Sequence, residues 1–206
     1  MLSRKPRLPF TLAALLFALA LEPRQVVAGA ALEQVRQTAE QVQALVQDPQ
    51  LKSKPQERRD KIRRALASRF DFTEMAKRSL GSHWQRASAE ERKRFVELFT
   101  DLLERSYAGQ IESYDGEKIA YGRESITGRQ AEVDTKIITK KGEQIAINYK
   151  LLNQAGEWQV YDVVIENISL VNNYRSQFNR ILANASFSEL LQKLESKGVD
   201  VKPARG

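Results

Sequence analysis

The stretch AEVDTKIITKKGEQIAINYKLLNQAGEWQVYDVVI, residues 131–165, decides the fold. Its first run sets Ala131, Val133, Thr135 and Ile137 against Glu132, Asp134 and Lys136. Lys140-Lys141-Gly142 makes a turn. The second run sets Ile145, Ile147, Tyr149 and Leu151 against Gln144, Asn148 and Lys150. Asn153-Gln154-Ala155-Gly156 makes another turn, and Trp158 to Ile165 forms a third strand. Apolar residues at every second position mark strands with one buried face. Connections this short join antiparallel neighbours. With an earlier strand at about 117–126, the pattern predicts a meander of four strands. Its apolar face requires a cover.

The cover is legible on both sides. Before the strands, Leu32, Val35, Ala39, Val42 and Val46 recur at steps of three and four, which predicts a helix over 31–47 ended by Asp48-Pro49. Pro55 suits the first turn of a second helix, with Ile62, Leu66 and Phe70 on one face. Met75, Ala76 and Leu80 lie on a short helix capped by Gly81, and His83 falls at that helix end and the loop after it. Ser88 and Glu91 form a capping box. It opens a long helix whose stripe runs Phe95, Leu98, Phe99, Leu102, Leu103, Tyr107, Ile111, Tyr114. After the strands, Leu170, Val171, Tyr174, Phe178, Ile181 and Leu182 form another stripe. Ser186 and Glu189 make a second capping box, before a last helix that stops at Gly198. The order predicts an α+β domain: a helical part at about 31–115, a sheet at about 117–166 and C-terminal helices at about 169–198. Two wide apolar surfaces, one of the sheet and one of the helices, then face each other.

The N-terminus has the build of a secretory signal peptide. Arg4, Lys5 and Arg7 precede a 12-residue apolar run from Phe10 to Leu21, and Ala28-Gly29-Ala30 is a small-x-small cleavage site. A spanning helix needs about 20 apolar residues, so the run is too short for an anchor. Cleavage after Ala30 leaves residues 31–206. The net charge of +7 falls to +4 without residues 1–30, which carry four basic residues and one acid. The basic excess gathers in Lys52, Lys54, Arg58, Arg59, Lys61, Arg63, Arg64 and Arg69. Such a stretch is either a solvated helix face or a surface for anionic lipid or an acidic partner. An exported chain rarely meets nucleic acid.

The chemistry is bounded by what is missing. There is no cysteine and one histidine, His83. Thiolate chemistry, disulfides and two-histidine metal sites cannot be built, and no phosphate-cradling glycine loop appears. No cofactor, metal or catalytic residue is expected. The enzyme reading rests on Asp162, a carboxylate in an apolar strand, as general base. An adaptor reading makes the basic stretch the working surface of a domain with no cargo.

Three passages carry a resemblance. They are Phe70-Asp71-Phe72 with Leu80-Gly81-Ser82-His83-Trp84; Phe95-Val96-Glu97-Leu98-Phe99 with Leu103-Glu104-Arg105-Ser106-Tyr107; and Trp158 through Phe178 without a break. In order and spacing they resemble the MlaC, or toluene-tolerance, family over about residues 31–198. One departure is Asn167, where the family usually has glycine; a left-handed backbone is expected there, and asparagine tolerates it best after glycine. The resemblance implies a twisted antiparallel sheet wrapped by helices with an apolar cavity between them, in a periplasmic phospholipid carrier; a monomer is expected because an opening carrier has little use for a permanent interface. It would pass lipid between an outer-membrane lipoprotein–porin complex and an inner-membrane ABC transporter with its membrane-anchored lipid-binding subunit, keeping the outer membrane asymmetric. On that reading the acyl chains would meet Leu98, Phe99, Leu102 and Tyr107 of the long helix, Val133, Ile147, Tyr149 and Val163 of the sheet, and Tyr174 and Phe178 of the following helix. Tyr149 and Tyr174 could hold their hydroxyls toward a wet mouth. Arg175 is the head-group candidate, with a salt bridge to Glu166 or another acid as the alternative.

Overall fold

The computed structural model describes residues 29–196. The signal-peptide expectation for residues 1–28 and the stop at Gly198 lie outside that range. Six helices come first: α1 Ala30–Gln47, α2 Pro49–Lys52, α3 Pro55–Ala67, α4 Phe72–Leu80, α5 Ser82–Arg86 and α6 Ala89–Glu112. Strands β1 Lys118–Thr127, β2 Gln130–Ile138, β3 Gln144–Gln154, β4 Glu157–Ile165 and β5 Ile168–Ser169 follow, then α7 Leu170–Leu182 and α8 Phe187–Glu195. The expected α+β architecture is present, with one correction: the antiparallel sheet has five strands in the order β1-β2-β3-β4-β5, not four. The fifth is two residues long, too short for alternation to reveal. His83 sits inside α5 rather than in a loop.

Local signals set the boundaries. Both capping boxes close reciprocally, Ser88 with Glu91 and Ser186 with Glu189. Asp71 and Ser169 cap α4 and α7 by accepting the Glu74 and Asn172 N–H groups. The β3–β4 turn places Ala155 and Gly156 at positive φ. The β4–β5 turn does the same with Glu166 and Asn167, so Asn167, at φ 66°, is left-handed as expected. Among the described residues no helix is long and apolar enough to cross a membrane.

Two β-bulges reset the alternation of the sheet. On β4 the register passes from Val160 to Asp162 across one step of β3, leaving Tyr161 unpaired. The extra residue flips the alternation. Trp158 and Val160 face inward before it and Val163 and Ile165 after it, while Asp162 turns outward. On β1 a shift between Tyr121 and Glu124 brings Glu124 opposite Val133, where its carboxylate accepts the Leu32 N–H of α1 at 2.9 Å. The free edge of β4 is covered where the Asp71 N–H donates to the Val160 carbonyl at 2.9 Å and the Val160 N–H to that of Arg69 at 2.8 Å.

Two apolar clusters result. One is a helical core of α4, α6, α7 and α8 around Phe95, Phe99, Tyr174 and Phe178. The other lies under the inner face of the sheet, where Ala31 and Val35 of α1 cover Ala131, Val133, Leu151, Trp158 and Val160. Phe70 and Tyr107 touch both. Arg69 belongs to this frame and not to a basic surface: it donates to the Trp158 carbonyl at 2.8 Å and also bonds Gln34, whose amide oxygen accepts the Trp158 N–H at 2.9 Å.

Candidate functional site

The register shows which residues share the inner face. Ile119, Ile137 and Ile145 stand in one row, then Tyr121, Thr135, Ile147 and Ile165, then Val133, Tyr149 and Val163, then Ala131, Leu151 and Val160. Burial changes along these rows. Ala131, Val133, Leu151, Trp158 and Val160 are fully covered. Toward the β2–β3 hairpin, Ile119, Tyr121, Ile137, Ile145, Ile147, Tyr149 and Ile165 keep accessible surface although they point inward. The C-terminal half of α6 lies over this end. Its Tyr107 packs on the sheet cluster and Ile111 is only partly buried. Beyond its end, the Tyr114 hydroxyl accepts from Gln43 of α1 at 2.8 Å, and Asp115 pairs with Lys140 of the hairpin.

Tyr149 identifies the space between these walls. Desolvation pushes its phenol up from 10.0 to about 12, yet the side chain retains surface a small probe can reach. Protein surrounds the phenol closely enough to strip its hydroxyl of water, while part of the side chain stays uncovered. Its hydroxyl is therefore not held at a wet mouth. Neither is that of Tyr174, which is fully buried, has its pKa raised by burial and stands 3.5 Å from the Ser106 hydroxyl.

The ten apolar residues chosen from the sequence thus divide. Val133, Ile147, Tyr149 and Val163 share the sheet face, and Tyr107 stands across from them. Leu98, Phe99, Leu102, Tyr174 and Phe178 instead belong to the helical core. There the Phe99 ring stands edge-on to Tyr174 at 5.2 Å and to Phe178 at 5.8 Å, with Phe95 edge-on to Phe178 at 5.3 Å. Phe99, Tyr174 and Phe178 are 0% exposed, so they fill space and do not border it. Ile137, Ile145 and Ile165 join the open wall but not the sequence-based set. The alternation that singles out Ile147 was the signal for the first two.

Arg175 lies elsewhere. It lines a polar recess with Arg78, Lys150, Tyr161, Asp162, Val171 and Asn172, of about 230 Å³. Lys150 and Asp162 alternate with Tyr149 and Val163, so this recess is on the opposite side of the sheet from the open wall. The Arg175 Nε donates to the Arg78 carbonyl at 2.7 Å, and the Arg78 guanidinium stacks on Tyr161 at 4.0 Å. Glu166 bonds the Ala146 N–H instead of Arg175. Asp162 is 5% exposed and caps α7: its carboxylate accepts from the Ser169 hydroxyl at 2.6 Å and the Val171 N–H at 3.1 Å. Both oxygens are engaged structurally. Among the described residues no group of His, Cys, Asp and Glu is placed to hold a metal ion.

The basic stretch is also largely engaged within the chain. Arg59 pairs with Glu112, and Arg63 with Asp101 at 2.8 Å and with Glu104. Lys54 and Lys61 both pair with Glu57. The Arg59 hydrogen bond holds the Glu112 carboxyl below its ordinary value.

An α+β frame with one apolar sheet face, fully covered at one end and only partly covered at the other, defines the class of fold. The profile of the MlaC protein family matches residues 36–196, and the chain belongs to that family. It is 25% identical over 150 residues to the intermembrane phospholipid transport system binding protein MlaC of Haemophilus influenzae, covering 70% of each chain. It is 28% identical over 131 residues to a toluene tolerance protein of Pseudomonas putida, covering 63% of this chain and 61% of that one. The solved structure of a phospholipid-binding protein from Ralstonia solanacearum, in complex with a phospholipid, shares the fold at a TM-score of 0.75 and 23% identity, over 84% of this chain and 99% of that one.

Proposed function

We propose that this chain is an exported, periplasmic phospholipid carrier that holds acyl chains against the open half of its inner sheet face. The observation that carries the reading is the wall of inward-facing but accessible Ile137, Ile145, Ile147, Tyr149 and Ile165, with Tyr107 opposite. The names of the Haemophilus and Ralstonia relatives support phospholipid as the cargo. One methylene removed from water is worth about 0.8 kcal/mol, so two long acyl chains would cost on the order of 20 kcal/mol to expose. A hollow apolar wall offsets most of that, which leaves lipid nearly balanced between membrane and carrier. No bond is made or broken, so no catalytic group is needed. The head group stays at the open end, beside the exposed Lys140 and Lys141 of the β2–β3 hairpin, and not at Arg175. Direction of transfer comes from the partners: an inner-membrane ABC transporter with its membrane-anchored lipid-binding subunit, and an outer-membrane lipoprotein–porin complex. The carrier itself works as a monomer.

The test is native mass spectrometry of protein purified without detergent, followed by solvent extraction. A co-purifying phospholipid is the expected result. A clean lipid-free mass with no uptake from added vesicles would defeat the carrier reading and favour a cargo-free adaptor.

A further inference from the structure

Helix α3 is attached to its two sides by different forces. Toward α1 and α2 it buries Ile62 and Ala65, alongside the buried Val46 and Leu51. Toward α6 it is tied by Arg59–Glu112, Arg63–Asp101 and Arg63–Glu104. The guanidinium side chains stay open to water, Arg59 56% exposed and Arg63 52%, while Glu112 and Glu104 are more covered at 20% and 30%. Ion pairs in water are weak, salt-sensitive and quick to re-form. One more feature marks the α3 side as imperfectly closed. The Arg58 Nε, on the same helix, is buried with no hydrogen-bond partner. A buried donor without an acceptor costs free energy, and movement that lets water reach it relieves the cost.

Behind this seam stands the part of α6 that faces the partly covered half of the sheet. Tyr107 lies between Glu104 and Glu112 in sequence and touches the sheet cluster, and Ile111 is partly buried one turn further on. The opposite flank of the same helix is held differently, by the aromatic packing of Phe95 and Phe99 onto α7 and α8. A lipid whose tails must pass whole into the interior meets a fixed apolar joint on one flank and a polar, reversible one on the other.

We propose that acyl chains enter and leave the interior through the seam between α3 and α6, and that Arg59 and Arg63 with their carboxylates are its latch. The proposal rests on the carrier reading above. Opening separates the ion pairs into water, where each charge is solvated, and uncovers Tyr107 and Ile111 to a membrane surface or a docked partner. Closure re-forms the pairs behind the cargo. No covalent step is involved.

The chain contains no cysteine, so a pair introduced across the seam reacts alone. Arginine and glutamate meet here through long side chains, which a linker between two shorter cysteines replaces in reach. Arg63→Cys with Glu104→Cys is therefore joined by a short bis-methanethiosulfonate linker that reductant removes. Uptake of pyrene-labelled phosphatidylcholine from zwitterionic vesicles is then followed by fluorescence. The linked protein should take up lipid at least about tenfold more slowly than the same protein after reduction, as for a lid that cannot open. Equal rates in the linked and reduced forms would overturn the portal. A second variant guards against damage by the linker. Arg59→Gln with Arg63→Gln should take up lipid several-fold faster at low salt, and its rate should no longer rise as salt is added, because the screened pairs are gone. Unchanged rate and salt dependence in this variant would also overturn the portal. Should the unsubstituted protein take up no lipid at all, the carrier reading itself falls, and the portal with it.

Discussion

The helical core and the hairpin end of the sheet are built from the same materials and do opposite things. Each is a stripe of large apolar side chains with a tyrosine among them. In the core, rings pack edge to face at 5.2–5.8 Å and leave no accessible surface on Phe99, Tyr174 or Phe178. At the hairpin end, Ile145, Ile147, Tyr149 and Ile165 point inward and still keep surface, because the facing helix covers them only in part. An apolar stripe names a face. Whether that face is a core or a container depends on what stands opposite.

Substitutions should separate the two regions. The largest effect belongs to the core: Phe99→Ala removes a ring packed on three others and should cost about 3–5 kcal/mol in urea unfolding. The molecules that remain folded should hold as much lipid as the unsubstituted protein. Asp162→Ala leaves the Val171 N–H and Ser169 hydroxyl without their acceptor and should cost about 1.5–3 kcal/mol. Asp162→Asn keeps an acceptor and should leave lipid transfer intact; loss of transfer at full stability would revive an active role for this residue.

The open wall should respond the other way round. Ile147→Ala removes atoms that are only partly covered, so the lipid-free protein should lose only about 1 kcal/mol or less. Ile147→Trp fills the space and should abolish bound lipid with little change in urea midpoint. A loss above about 3 kcal/mol for Ile147→Ala would show that this face is packed like the core and break the contrast.

The alkaline limb tests the enclosure of Tyr149. Its phenol, ordinarily at 10.0, is pushed up to about 12 by burial, so the folded state holds the proton more tightly than the unfolded chain. That contribution to stability is fully present below pH 10 and is lost as pH rises toward 12. Tyr149→Phe should therefore unfold at higher pH than the unsubstituted protein in a base titration followed by circular dichroism. The smallest effect is a control away from both regions. Ala155 sits at φ 55° in the β3–β4 turn, and Ala155→Gly should stabilise by about 0.5–1 kcal/mol without touching lipid content.

Much of this architecture was legible in the sequence. The alternation over 131–165 and the two capping boxes locate strands and helices closely, because period two and the Ser-x-x-Glu pattern are local properties of the chain. What failed to show was non-local or very short. Strand β5 is two residues and α2 four, below the length at which a period exists. The bulges at Tyr161 and between Tyr121 and Glu124 need the partner strand to be seen. Arg63 reads as part of a free basic face because its acids lie 38 and 41 residues away. Periodicity placed Tyr149 and Tyr174 each on an apolar stripe, but it carries no information on the space beyond the side chain. For the same reason the sequence grouped Phe99 with Ile147.

The most direct test of this division uses a phospholipid bearing a diazirine near the end of one acyl chain, loaded into the protein, irradiated and mapped by peptide mass spectrometry. Labels should fall on Tyr107 and on the inner-face residues Ile145, Ile147, Tyr149 and Ile165. Labels concentrated on Phe99, Tyr174 and Phe178, or on the Arg175 recess, would contradict the account.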